Sequence, residues 1–177
     1  MSDVNSRMQQ ALQHLDAADA LVKKSLRWIK QQCQDGKGVS NDKLDAHQMA
    51  SFDLAWCAAE ATTARFAIDY ALKAAAASAD TVGLEDRMAR IFCAEALQNI
   101  RSRLWGRPQS FGLDDADIAT LDSAELARFC RLQLDAGNLE ALGRQVIGMG
   151  GASGAYLLGE DALMMQESFR KLATHVV

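Results

Sequence analysis

A single proline in 177 residues is the feature that most restricts what this chain can fold into. Proline removes a backbone donor and breaks helix interiors, so its near absence leaves long stretches free to stay helical. Alanine, the strongest helix former, is the commonest residue. The expectation is an all-α chain, an up-down helical bundle of four to six helices. Its length suffices for one domain with a sizeable core.

The helices can be placed by their apolar spacing. Met8, Leu12, Leu15, Val22, Leu26, Ile29 and Cys33 recur at gaps of three, four and seven, which predicts a helix over about 5–34. Asp19 falls where another apolar group is expected, with Ala18 packing in its place. Asp35-Gly36-Lys37-Gly38 ends the helix, with glycine supplying the cap conformation. Ser40, Asn41 and Asp42 are good N-caps for a second helix over about 42–78. Its inner face is read as Leu44, Phe52, Leu54, Trp56, Phe66, Ile68 and Leu72. Thr81 starts a third helix over about 84–105, with Met88, Ile91, Phe92, Leu97, Ile100 and Leu104 inward. Gly106, Pro108 and Gly112 break it. A short turn of helix follows at 114–120. Asp122 and Glu125 have capping-box spacing for a fourth helix over about 123–136, which resumes over 138–147 after Gly137-Asn138. A last helix runs from Asp161 to Val177, with Met165, Phe169, Leu172 and Val176 on one side. It stops in mid-stripe with no capping residue, which reads as a chain cut inside a longer protein.

Charge and composition exclude several function classes. A net charge of -4 and a pI near 5.3 argue against a nucleic-acid or anionic-membrane surface. No apolar run approaches the roughly 18 residues of a membrane span, and the polar N-terminus is no signal peptide. Cys33, Cys57, Cys93 and Cys130 are scattered, one to a helix and with no CxxC, as expected of buried thiols in a cytoplasmic protein. His14, His47 and His175 are equally dispersed. No zinc site is expected from these residues.

The remaining candidates are weak as chemistry. Gly148, Gly150 and Gly154 resemble a phosphate-cradling loop in composition, but no strand precedes them and no lysine follows. They are read as a connection between helices. Arg101, Arg103 and Arg107 form a basic patch that the dipole at a helix C-terminus explains, with a phosphate or CoA contact as the sharper alternative. Glu60, Glu95 and Glu125 stand in no acid–base motif, and no nucleophile elbow or Cys/His pair is present. No catalytic residue is assigned, and no cofactor contact or metal ligand.

Three segments in order carry a family resemblance. They are His47-Gln48-Met49-Ala50-Ser51-Phe52-Asp53-Leu54-Ala55-Trp56 with Ala64-Arg65-Phe66-Ala67-Ile68-Asp69-Tyr70-Ala71, then Met88-Ala89-Arg90-Ile91-Phe92-Cys93-Ala94-Glu95-Ala96, then Gln145-Val146-Ile147-Gly148 onward to Glu160. Together they resemble the C-terminal helical domain of acyl-CoA dehydrogenases over about 40–160. The family's flavin-touching "Arg-x-x-Phe-Gly" loop has no equivalent in Asp35-Gly36-Lys37-Gly38, its nearest echo being Arg103-Leu104-Trp105-Gly106-Arg107-Pro108. The family's catalytic glutamate has no counterpart either. Gln166-Glu167-Ser168-Phe169-Arg170-Lys171-Leu172-Ala173-Thr174-His175-Val176-Val177 is similar to the first helix of that family's N-terminal domain.

The resemblance therefore implies a bundle domain over 1–160 and the start of a following domain at 161–177. It implies a non-catalytic N-terminal helical domain of an FAD-dependent acyl-CoA dehydrogenase. The parent reaction would be α,β-dehydrogenation, with hydride passing to FAD held outside this chain. The implied partners are a catalytic flavin domain or subunit and further copies in a homo-oligomer. A free-standing helical adaptor that binds a protein partner is the alternative. A small-ligand pocket between helices is a third.

Overall fold

The computed structural model describes residues 2–36, 38–77, 83–150 and 158–175. Three long helices organise the molecule: α1 (Ser2–Gln32), α3 (Gln48–Ala77) and α4 (Leu84–Trp105). The order of their contacts fixes their directions. Trp28 meets His47 while Asp16 meets Arg65, so α1 and α3 are antiparallel. Asp53 meets Arg103 while Glu60 meets Asn99, so α3 and α4 are antiparallel too. Asp86 lies by Arg7, and Cys93 reaches the Ala11 carbonyl, so α1 and α4 run together. The up-down arrangement expected from sequence is present.

Small residues set how closely these helices pack. The buried stripe of α1 is Met8, Ala11, Leu15, Ala18, Val22, Ser25 and Ile29, at strict gaps of three and four. That of α3 is Ala50, Leu54, Cys57, Ala61, Ala64, Ile68 and Ala71, with the same spacing. A 3-4 alternation keeps one narrow seam facing its neighbour, and alanine in the seam lets the backbones approach.

Two expectations about these faces are corrected. Leu26 is exposed and Ser25 is buried, because the seam advances at 22, 25 and 29. The predicted inner face of the second long helix is largely turned outward. Phe52, Trp56 and Phe66 are exposed, as is Leu44, while Leu54 and Ile68 are buried. Alanines take the core side because the space between α1, α3 and α4 is too narrow for aromatic rings. In α4, Met88 is likewise exposed and Phe92 half-buried.

The connections hold more structure than the sequence suggested. Between α1 and α3 lies a two-stranded ribbon, β1 (Gln34–Asp35) with antiparallel β2 (Gly38–Val39), turned by Gly36 at positive φ. The glycine there serves a hairpin turn, not a helix cap. The second helix is divided, with α2 (Asn41–Ala46) capped by Ser40 and separated from α3 at His47. Thr81 lies outside the described residues. α4 has the predicted bounds. Pro108 opens a 3-10 turn (Pro108–Phe111), and Gly112 closes it in the left-handed region.

The C-terminal half is a run of shorter helices. α5 (Asp115–Leu121) carries the capping box, between Asp114 and Asp117. The expected box at Asp122 and Glu125 is absent, since Ser123 caps α6 (Ala124–Gln133). Asp135 caps α7 (Ala136–Gly148), so Gly137 falls in its first turn and does not bend an earlier helix. Phe111, Leu121, Leu126 and Phe129 complete the core. The helix count among the described residues is thus eight, above the expected four to six, because short polar caps divide what periodicity joined. The last, α8 (Glu160–His175), contributes nothing to the core: every described side chain from Leu158 to Thr174 is exposed.

Candidate functional site

The three arginines singled out in the sequence do not make one patch. Arg101 turns to Asp122, at 2.7 Å from Nε to the carboxylate, and the Trp105 indole donates to the same group at 2.8 Å. Arg103 donates to Asp53 at 2.9 Å, and Arg107 holds the other oxygen of that carboxylate. Asp53 is buried, and Arg103 also lies over the Trp56 ring. A carboxylate taken out of water needs paired, directional donors, and two guanidinium groups supply them. The cluster joins α3 to the end of α4 and leaves its cations engaged by protein. Spacing does not reveal Asp53 and Asp122 as the partners of these arginines, because they lie 50 and 21 residues away.

The other candidates are similarly spoken for. Asp19 pairs with Lys23 at 2.7 Å, beside Arg65, while Ala18 packs in the core. Glu60 accepts from Asn99 at 2.9 Å, and Glu95 is exposed. Glu125 sits near His14, whose ring stacks obliquely on Phe129 at 5.2 Å. Burial holds the His14 pKa below its ordinary value, and the Glu125 charge only partly offsets this. Burial pushes the Cys57 and Cys93 thiols up to about 12 and raises Cys130 as well, so none is a poised nucleophile. No group of three or more potential ligands among the described residues could hold a metal ion. No described helix is long and apolar enough to cross a membrane. Of the glycine run, Gly148 ends α7 and Gly150 has positive φ; Gly154 lies outside the described residues.

Two clefts lie between helices of the bundle. A cleft of about 450 Å³ lies between α4 and α6, bordered by Arg101, Asp122, Leu126, Cys130 and Arg131. A smaller one of about 220 Å³ lies between α1 and α3 by Asp19, Arg65 and Phe66. In the larger, the Arg101–Asp122 pair already neutralises the most directional cation.

What the molecule does present is apolar helix surface. On α3, Met49, Phe52, Trp56, Phe66 and Tyr70 are 40 to 68% exposed. On α8, Met164, Met165, Phe169 and Leu172 are 61 to 65% exposed. Exposed apolar faces of this kind mark sites of docking. The amphipathic pattern of α8 alone does not show that it is unburied, since it looks the same whether or not the bundle covers it.

No protein-family model matches the chain, and no curated protein matches it detectably. Its class is therefore defined by the fold alone, an all-helical globular domain packed as a bundle.

Proposed function

We propose that the chain is the non-catalytic N-terminal helical domain of an FAD-dependent acyl-CoA dehydrogenase, resembling the arrangement of a (2S)-methylsuccinyl-CoA dehydrogenase. One observation carries the reading. α8 follows the bundle as a separate amphipathic helix, and its Met165, Phe169 and Leu172 stripe touches none of the bundle's core. This is the segment that resembles the opening helix of a dehydrogenase catalytic unit. Its apolar stripe would be covered by that unit. The up-down long helices and the Met88 to Ala96 segment on α4 agree with the helical domain of the same family.

Two features of the described residues weigh against a flavin site here. Gly36 occupies a hairpin turn in a loop without arginine, and Arg103 and Arg107 are committed to Asp53. FAD is accordingly assigned to the catalytic unit, with this domain as a docking or assembly element. The expected result for the isolated chain is a folded helical protein without flavin absorbance or acyl-CoA oxidation. Stoichiometric FAD with turnover in the isolated chain overturns the reading. The coding sequence beyond Val177 tests its other half, where an in-frame flavin-binding domain is expected and an immediate stop codon would refute it.

A second reading, a free-standing adaptor for a helical protein partner, is favoured by the aromatic face of α3, which lies apart from α8 in sequence and needs no catalytic unit to explain it.

A further inference from the structure

The cleft between α4 and α6 combines an apolar floor with an unspent charge. Leu97, Gln98, Arg101 and Ser102 on α4 fall at gaps of one, three and one, and Leu126, Ala127, Cys130 and Arg131 on α6 repeat that spacing. Each set is two adjacent rows on one side of its helix. The buried members, Leu97, Leu126 and Cys130, join buried Leu121 to make the floor. The walls are fixed at both ends. The Cys130 thiol donates to the Ala94 carbonyl at 3.7 Å, and Arg101 and Trp105 hold Asp122 in place.

Charge at the rim is unequal. Arg101 is spent on Asp122 at 2.7 Å, so those two cancel. Arg131 is exposed and makes no ion pair among the described residues. A guanidinium beside apolar surface favours a planar anion, which it can hold by two parallel hydrogen bonds. Asp122 on the same rim repels a second negative charge. Gln98 and Ser102 add neutral donors. The volume, about 450 Å³, lies within the range of small-molecule sites. The smaller cleft offers no such charge, since Lys23 and Arg65 there already meet Asp19 and Asp16 at 2.7 and 2.6 Å.

We propose that the cleft between α4 and α6 is a binding site for a small monocarboxylate with a compact apolar body. The carboxylate lies against Arg131 at the rim, and the apolar body covers Leu97, Leu121 and Leu126. A neutral molecule leaves Arg131 unpaired, and a dianion meets Asp122.

Three probes of similar shape test this on the whole chain: phenylacetate, its neutral amide and benzylphosphonate, titrated at a pH where the phosphonate is doubly ionised. Amide chemical shifts in the isotope-labelled protein report both place and affinity. Phenylacetate is expected to bind with a dissociation constant of about 1 mM or tighter, shifting Gln98, Ser102 and Arg131. The amide and the phosphonate are expected to bind at least tenfold more weakly. Arg131→Gln, at an exposed position, is expected to weaken phenylacetate tenfold and leave the amide unchanged. Ser102→Trp, also exposed, is expected to close the cleft to both. Shifts confined to α3 or α8, equal affinity for acid and amide, tighter binding of the phosphonate, or an Arg131→Gln variant that binds phenylacetate like the parent each overturns the proposal. None of these outcomes bears on α8 as a docking helix or on the dehydrogenase reading.

Discussion

A Cβ atom on Gly112 would stand inside the indole ring of Trp28. The two residues lock the turn after α4 onto the C-terminal part of α1, and the glycine is at φ +64°. Gly112→Ala therefore meets both a left-handed backbone penalty and a ring that must move. The expected loss is about 2–5 kcal/mol, from roughly 1–2 for the backbone and 1–3 for overpacking. Chemical denaturation measures it. Gly106→Ala, at a right-handed position with open space around it, is expected to be neutral or slightly stabilising.

Asp53 is the most consequential charge. Asp53→Ala leaves Arg103 and Arg107 without their shared carboxylate, and its expected cost is about 1.5–3 kcal/mol. The arginines are partly exposed, which keeps the figure below that of a fully buried pair. Asp122→Asn, at a more solvated pair, is expected to cost clearly less. Equal costs by urea titration would show that burial does not distinguish the two sites.

His14 gives the fold a pH dependence with a definite sign. Its folded-state pKa is depressed by burial, so the unfolded chain takes up the proton first. Stability from the neutral ring is full above about pH 6.5, the ordinary value, and falls as pH drops through it toward the folded pKa. The melting temperature is expected to decline between pH 7 and 5.5, and His14→Phe to flatten that decline. The carboxylate Asp122, held low by Arg101, acts in a separate window below the ordinary carboxylate range.

The orientation of α3 is testable by two neighbouring positions. Ala64 is fully buried, and Ala64→Leu forces extra volume into the seam with α1 and α4, at an expected cost of about 1–3 kcal/mol. Phe66→Ala, two residues on and 68% exposed, is expected to change stability by less than about 0.5 kcal/mol at concentrations where the chain is monomeric. The reverse ranking would mean that the aromatic side is the core.

That ranking also marks what could be read from the residues. α1 and α4 were legible in extent, because their stripes combine large apolar groups with clear stops. On α3 periodicity points to the larger side chains as the inner face, and the structure buries alanine instead. Hydrophobicity alone ranks phenylalanine above alanine, whereas the width available between helices depends on the neighbouring chain segments. Ser25 was missed for the same reason, since a hydroxyl in a seam is chosen by spacing, not by polarity. The arginine clusters were legible as cations near a helix end, but not their partners. Asp53 and Asp122 reach them only once α3 and α5 are folded against α4.

The seam of α1 faces α3 and α4, with little of its own to rest against. A ribosome makes α1 before both, and its Met8, Leu15 and Val22 are covered only in part by α3 until α4 is complete at Trp105. At about 5–20 residues per second, the N-terminal helix waits roughly 4–15 seconds with its apolar seam open. During synthesis this half-covered seam is a surface that a chaperone can hold.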